Sequence, residues 1–123
     1  MRIETFAAFA MKFPETSEEQ PFGPSVDVYK VVGKVFAILS PEDTPPAISL
    51  KCEPLLAIEL REEFVAVIPG YHLNKSHWNT VILDGSVPDS EIKRMITHSY
   101  KQVIAGLPKA TRQRVSNIDW PKT

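Results

Sequence analysis

Val28-Tyr29-Lys30-Val31-Val32-Gly33-Lys34-Val35-Phe36-Ala37-Ile38-Leu39 is the stretch on which the fold turns. Both arms are rich in β-branched and aromatic residues and a glycine lies between them, so Val26 to Leu39 reads as a β-hairpin. With Gly33 at the first central position and Lys34 at the second, the expected turn is type II′. After the proline-rich connection Ser40 to Pro46, Ala47 to Cys52 alternates: Ile48, Leu50 and Cys52 point one way, Ala47, Ser49 and Lys51 the other. That is a half-buried strand. Three consecutive strands with short connections imply an antiparallel sheet.

The flanks supply the covering layer. Upstream, Ile3, Phe6, Ala7 and Ala10, with Phe9 and Phe13, form the apolar stripe of a helix over roughly 2–12 that Pro14 stops. Glu15 to Pro24 is polar and reads as a loop. Downstream, Pro54 opens a helix whose apolar side is Leu55, Leu56, Leu60 and Phe64. Val65 to Ile68 is a short extended piece, and Trp78 to Leu83 is a further strand closed by Asp84-Gly85. Pro88-Asp89 then opens the longest helix, with Ile92, Met95, Ile96, Tyr100, Val103 and Ile104 as its core stripe and Gly106 and Pro108 at its end. Lys109 to Val115 adds a helical turn or two. The expected architecture is one α+β domain over residues 1–123, a two-layer sandwich. An antiparallel sheet of four or five strands carries helices on one face, in the order α-β-β-β-α-β(β)-α. Phe6, Phe36, Ile38, Leu50, Leu60, Ile82, Ile96 and Val103 are its expected buried residues.

A hydrophobic fraction of 43% with 24% charged residues fits an ordinary globular chain. Fourteen Lys and Arg against fifteen Asp and Glu leave a net charge of -1, so bulk charge demands no polyanionic partner. The charge is uneven along the chain: residues 1–63 hold six basic and eleven acidic residues (net -5), residues 64–123 eight and four (net +4). No apolar run approaches the roughly 20 residues of a membrane span. A single cysteine, Cys52, forms no internal disulfide and fits a reducing cytosol. A cytoplasmic monomer is the expectation.

Catalytic motifs are missing. No HExxH, Cys-x-x-Cys, GxSxG, GxGxxG or P-loop pattern occurs, so neither a catalytic residue, a metal site nor a cofactor is expected. His72 and His77 are five apart, outside the i, i+4 spacing that puts two ligands on one helix face. Cys52 shares the apolar side of its strand and reads as a structural thiol. Two basic turn regions stand out instead. Lys34 lies at the hairpin tip, and Tyr71-His72-Leu73-Asn74-Lys75-Ser76-His77-Trp78 packs imidazoles, an amide, an ammonium and aromatics together. Asn74, Lys75 and His77 are residue types that bond to bases and phosphates, and Trp78 can stack on a base. Equally, Asn74 caps turns through its own backbone and Trp78 anchors strands.

Pro21-Phe22-Gly23, Val32 to Ala37, Ser49-Leu50-Lys51-Cys52, the block His72 to Val81 with Leu83-Asp84-Gly85, and Pro88-Asp89 and Ser99-Tyr100 with Leu107-Pro108 together resemble the MmcQ/YjbR family of small bacterial proteins. The match runs in order along nearly the whole chain and fades beyond Arg112. The resemblance implies the YjbR-like fold, close in shape to type III secretion chaperones and to frataxin-like domains. It also implies DNA binding through two projecting β wings. One wing would be the Gly33-Lys34 hairpin, the other the region of Asn74, Lys75 and His77. The expected function is weak DNA binding. The alternative is a protein-interaction module of chaperone-like shape, pairing a partner chain with its open sheet surface or edge.

Overall fold

The computed structural model describes residues 1–120. In chain order it holds α1 (Ile3–Ala10), β1 (Thr16–Glu19), β2 (Asp27–Val31), β3 (Lys34–Ser40), β4 (Ala47–Lys51), α2 (Pro54–Glu63), β5 (Val67–Pro69), β6 (Trp78–Ile82), α3 (Asp89–Ala105) and α4 (Lys109–Ser116). The strands form one antiparallel sheet in the order β1-β2-β3-β4-β6-β5. The α+β class and the helix-covered antiparallel sheet agree with the sequence reading. The sheet has six strands instead of four or five, because Thr16–Glu19 lies within the segment read as a loop. It shows no apolar alternation. Backbone pairing to β2 holds it there, helped by Glu18 accepting from the Tyr29 hydroxyl and by the Lys30–Glu19 ion pair at 3.4 Å. Among the described residues no helix is long and apolar enough to cross a membrane.

The helices cover one face. Phe6 and Phe9 of α1, Ile92, Ile96 and Tyr100 of α3 and Val115 of α4 share a core with Tyr29, Ala37, Leu39, Ile48, Leu50 and Val81 of the sheet. The other face is bare of helices, with the loop residues Tyr71, His72 and Leu73 bordering a groove on it. Val28, Ile38, Ser49, Thr80 and Ile68 face one another across five strands there, with Ala47 and Ile82 in the next row. Ile38 and Ile82, expected in the core, are therefore only half-buried. Leu60 is half-buried too, at the edge of a gap between α2 and α3.

A β-bulge explains Ile38. Tyr29 pairs with Ala37 but Lys30 with Val35, so Phe36 is an extra residue in β3. Phe36 and Ala37 both turn into the core, and the alternation beyond them is shifted by one. The bulge ends the pairing of β3 with β4 at Ala37–Leu50. Just past it the buried Ser99 hydroxyl of α3 takes over: it donates to the Phe36 carbonyl at 2.5 Å and accepts from the Lys51 amide at 2.8 Å. One turn of helix thus completes a ladder that the strands leave open.

The β2–β3 turn differs by one residue from the expectation. Val31 pairs with Lys34, so the loop is Val32-Gly33, and both carry positive φ (48° and 77°). That is a type I′ turn, whose twist suits a hairpin but whose first position favours Asn or Gly. A β-branched residue there is strained.

α2 is tied to α3 at its start. The Glu53 carboxylate accepts from the amides of Leu55 and Leu56, which holds its pKa below the usual carboxylate value. The Glu53 amide donates to His98 Nε2 at 3.1 Å. That bond requires a neutral imidazole, and burial pushes the His98 pKa down in the same direction.

Three outcomes are expected. Ser99→Ala leaves the Phe36 carbonyl and the Lys51 amide without a partner, so denaturant unfolding should show a loss of roughly 2–4 kcal/mol; a loss under about 0.5 kcal/mol would contradict the bridging role. Val32→Asn should raise stability by about 1 kcal/mol, read as a higher denaturant midpoint at unchanged slope. For His98 the folded pKa lies below the unfolded one. Both states are neutral above about pH 6.5, and as pH falls the unfolded chain takes up the proton first, so stability drops. The Glu53 step follows separately below about pH 4.3. His98→Gln keeps an acceptor for the Glu53 amide and should flatten the first step while leaving the second.

Candidate nucleic-acid interface

Antiparallel pairing decides which loops meet. β3 starts at Lys34, β4 ends at Lys51, and Lys51 pairs with Trp78 at the start of β6. The β2–β3 turn and the β5–β6 connection, residues 70–77, therefore leave the sheet at the same end. Counting three strand steps of about 4.8 Å, the centre lines of the two hairpins lie about 14 Å apart. Lys51 stands between them and shares a shallow recess with Lys34, Val35 and Leu107.

The second hairpin is well braced. Gly70 is packed so closely that a Cβ there would lie 2.7 Å from the Trp78 Cβ. The Gly70 amide donates to the Trp78 carbonyl at 2.8 Å and the Tyr71 amide to Thr80 Oγ1 at 3.0 Å. Asn74 Oδ1 accepts from the Ser76 amide at 2.9 Å, an Asx turn, and its backbone carbonyl accepts from the His77 amide. Lys75 Nζ donates to the Gly70 carbonyl at 3.1 Å, while the Lys75 carbonyl accepts from Arg61 Nη2 of α2 at 3.2 Å.

These bonds set what each candidate residue has left to offer. Lys34 is exposed and makes no ion pair among the described residues. Lys75 keeps two of its three ammonium donors. Asn74 keeps its Nδ2 donors, its oxygen being used in the turn. The exposed His77 is held through its backbone, whose carbonyl accepts from the Cys52 amide at 2.8 Å. Trp78 is half-buried, with less free ring face for stacking than the sequence suggested. The structure thus brings Lys34, Asn74, Lys75, His77 and Trp78 to one end of the sheet. Sequence reasoning had left out Lys51 and Arg61. The signal for Lys51 was present, a lysine on the polar side of a strand at its last residue. Arg61 carried none, since its reach to a loop fourteen residues away depends on tertiary packing.

The remaining titratable groups are scattered. His72, at φ 59°, lines a groove on the bare sheet face with Tyr71 packed against its ring at 4.1 Å, while His98 lies on α3 at the gap between α2 and α3. Among the described residues no three His, Cys, Asp or Glu form a metal-holding group. Cys52 is buried, and burial, with the Glu53 charge adding to it, pushes its thiol up to about 11. It stays a protonated, unreactive thiol at neutral pH.

Known proteins match along most of this length. The YjbR family model matches residues 11–102. The YjbR protein of Escherichia coli K12 is 45% identical over 113 residues, covering 92% of this chain and 96% of its own, and YbdF of Escherichia coli O157:H7 is 33% identical over 112 residues, covering 91% and 92%. Among solved structures, a Deinococcus radiodurans protein with a DUF419 domain superposes with a TM-score of 0.88 at 32% identity, over 98% of this chain and 92% of that one. A Pseudomonas syringae protein follows at 0.73 and 30%, over 83% and 98%. Matched in sequence over nine-tenths of its length and in the path of its backbone, this chain belongs to the YjbR family.

Proposed function

We propose that this chain binds duplex DNA weakly and without marked sequence preference, with its two hairpins straddling the phosphate backbone. The observation that carries the reading is the emergence of both hairpins from one sheet end with Lys34, Lys51 and Lys75 on and between them. Three ammonium groups across a span of about 14 Å can meet phosphates along one strand, which carries one charge for roughly every 3.4 Å of helix axis. Base reading is a minor part. The Asn74 oxygen is occupied and Trp78 is half-covered, so phosphate contacts supply nearly all the binding.

The alternative, a protein-interaction module, is favoured by one feature, the bare sheet face with Ile38, Ile68 and Ile82. Edge pairing has less to support it. β1 is four residues long and carries a carboxylate on each face, Glu18 and Glu19, and β5 is three residues long and ends in Pro69, so both edges are blunted.

Fluorescence anisotropy of a labelled duplex should give a dissociation constant on the order of 10⁻⁴–10⁻⁶ M at low salt, with log affinity falling by about 0.9 per phosphate contact per log unit of salt. Lys34→Ala, Lys51→Ala and Lys75→Ala should each weaken binding to all sequences alike and flatten that slope by about one unit. Lys93→Ala removes the same charge beside Phe9 of α1, away from the hairpins, and should leave the slope unchanged. Absence of any salt-sensitive binding at low ionic strength would end the DNA reading and move attention to the bare face.

A further inference from the structure

Between α2 and α3 lies a cleft of about 260 Å³ that the core does not fill. It exists because α2 packs over β5 and β6 while α3 packs over β2, β3 and β4, leaving the seam of β4 and β6 roofless. Leu50 and Val81 form its floor, Leu56 and Leu60 one wall, and Met95 the other. A dry apolar cavity of about 150 Å³ already admits benzene, so this one has room for a fused pair of rings. The α2 wall can yield: Leu56 and Leu60 are half-buried, and Leu55 and Ile58 of the same helix are exposed.

One polar group on the floor is incompletely bonded. Asn79, 3% exposed, stands on the helix-covered face of β6 opposite Leu50 of β4. Its Nδ2 donates to the Ala57 carbonyl at 3.2 Å, and its buried Oδ1 has no partner among the described residues. Turning the amide over would set oxygen against oxygen at Ala57, so the bond to α2 fixes which end is the acceptor. A buried acceptor left without a bond is costly, and at this depth bulk water does not relieve it. A group that donates from the cleft removes that cost.

The rim offers an anion nothing. Glu91 pairs with Arg94 at 3.1 Å. The Glu53 carboxylate, held by the amides of Leu55 and Leu56, adds a negative charge at the start of α2. His98 is neutral, its Nε2 accepting from the Glu53 amide. The Lys51 side chain shares the face of Ser49, turned away from the helices. A cation gains no more, because the floor of Leu50, Val81 and Asn79 holds no carboxylate to receive it.

From this we infer that the cleft is a binding site for a small uncharged aromatic molecule bearing one N–H or O–H donor, its rings against Leu50, Val81 and Met95 and its donor on Asn79 Oδ1. The empty cleft closes that oxygen off, so seating the ligand displaces Leu56 or Leu60. The site lies apart from the hairpin turns and stands or falls independently of DNA binding.

Indole is the probe, and benzofuran, which has the same shape with a ring oxygen in place of the N–H, is its counterpart. In a ¹⁵N-resolved NMR titration of the full chain, indole should bind with a dissociation constant of about 1 mM, as its size allows. The shifted signals should cluster at Leu50, Leu56 to Leu60, Met95 and the Asn79 side-chain amide. Benzofuran should bind about tenfold more weakly, since it sets a second acceptor against Oδ1. Benzoate, an anion, should not saturate the site. Asn79→Leu removes the acceptor at similar volume, so it should bring indole down to the affinity of benzofuran and leave benzofuran no weaker. Should that variant not fold, phenol against fluorobenzene on the wild-type chain replaces it, and the donor must again bind more tightly by about tenfold. Shifts that map outside the cleft, equal affinity with and without the donor, saturable benzoate binding, or no shift with indole up to about 10 mM would each overturn the assignment.

Discussion

The hydroxyl of Ser99 holds the architecture together at the place where the sheet departs from regularity. β3 gains a residue at Phe36, and a sheet that gains a residue in one strand must leave a carbonyl and an amide without ladder partners nearby. Water normally serves such groups, but here α3 seals them off, so the helix itself must supply a donor and an acceptor at one atom. A serine does this with a single oxygen. The contact fixes the height of α3 over β3 and β4, and with it the place of Tyr100, whose hydroxyl donates to the Pro14 carbonyl at 2.7 Å and so anchors the corner between α1 and β1.

Much downstream geometry follows from that anchoring. With α3 pinned over the middle of the sheet, α2 is left to the β5–β6 side, joined to α3 at the Glu53–His98 bond. The seam between them opens as the cleft, and the same seam ends at Lys51, which separates the two hairpins. The basic residues of the hairpin end and the apolar cleft are thus products of one packing decision.

Sequence reasoning reached the elements whose signal is periodic and local. The hairpin, the Ala47 to Cys52 strand and the long helix with its stripe from Ile92 to Ile104 could be read because each repeats an apolar residue at the interval of its own geometry. It failed where neighbours decide. Nothing within β3 marks Phe36 as a bulge, so Ile38 was assigned to the wrong face, and Ile82 went with it because a bare sheet face of isoleucines looks like a core. β1 escaped notice because Thr16–Glu19 owes its conformation to β2. The turn was misplaced by one residue because Val32 occupies a position that its own preferences oppose. For the candidate interface, the clustering of Lys34 with Asn74, Lys75, His77 and Trp78 was foreseen only through the family resemblance. The loss of Asn74 Oδ1 to a turn and the half-cover over Trp78 are three-dimensional facts that residue types do not encode.

The contact of Gly70 with Trp78 bears on how relatives of this chain should be compared. With a Cβ at position 70 falling 2.7 Å from that of Trp78 and 2.9 Å from its carbonyl oxygen, position 70 is closed to any side chain, whatever residue stands at position 78. Invariance of Gly70 across the family would record steric exclusion and carry no information about a ligand. Selection on binding would be visible at the positions that packing leaves free to vary, Lys34 and Lys51 at the hairpin end, where a charge kept through divergence has no structural excuse.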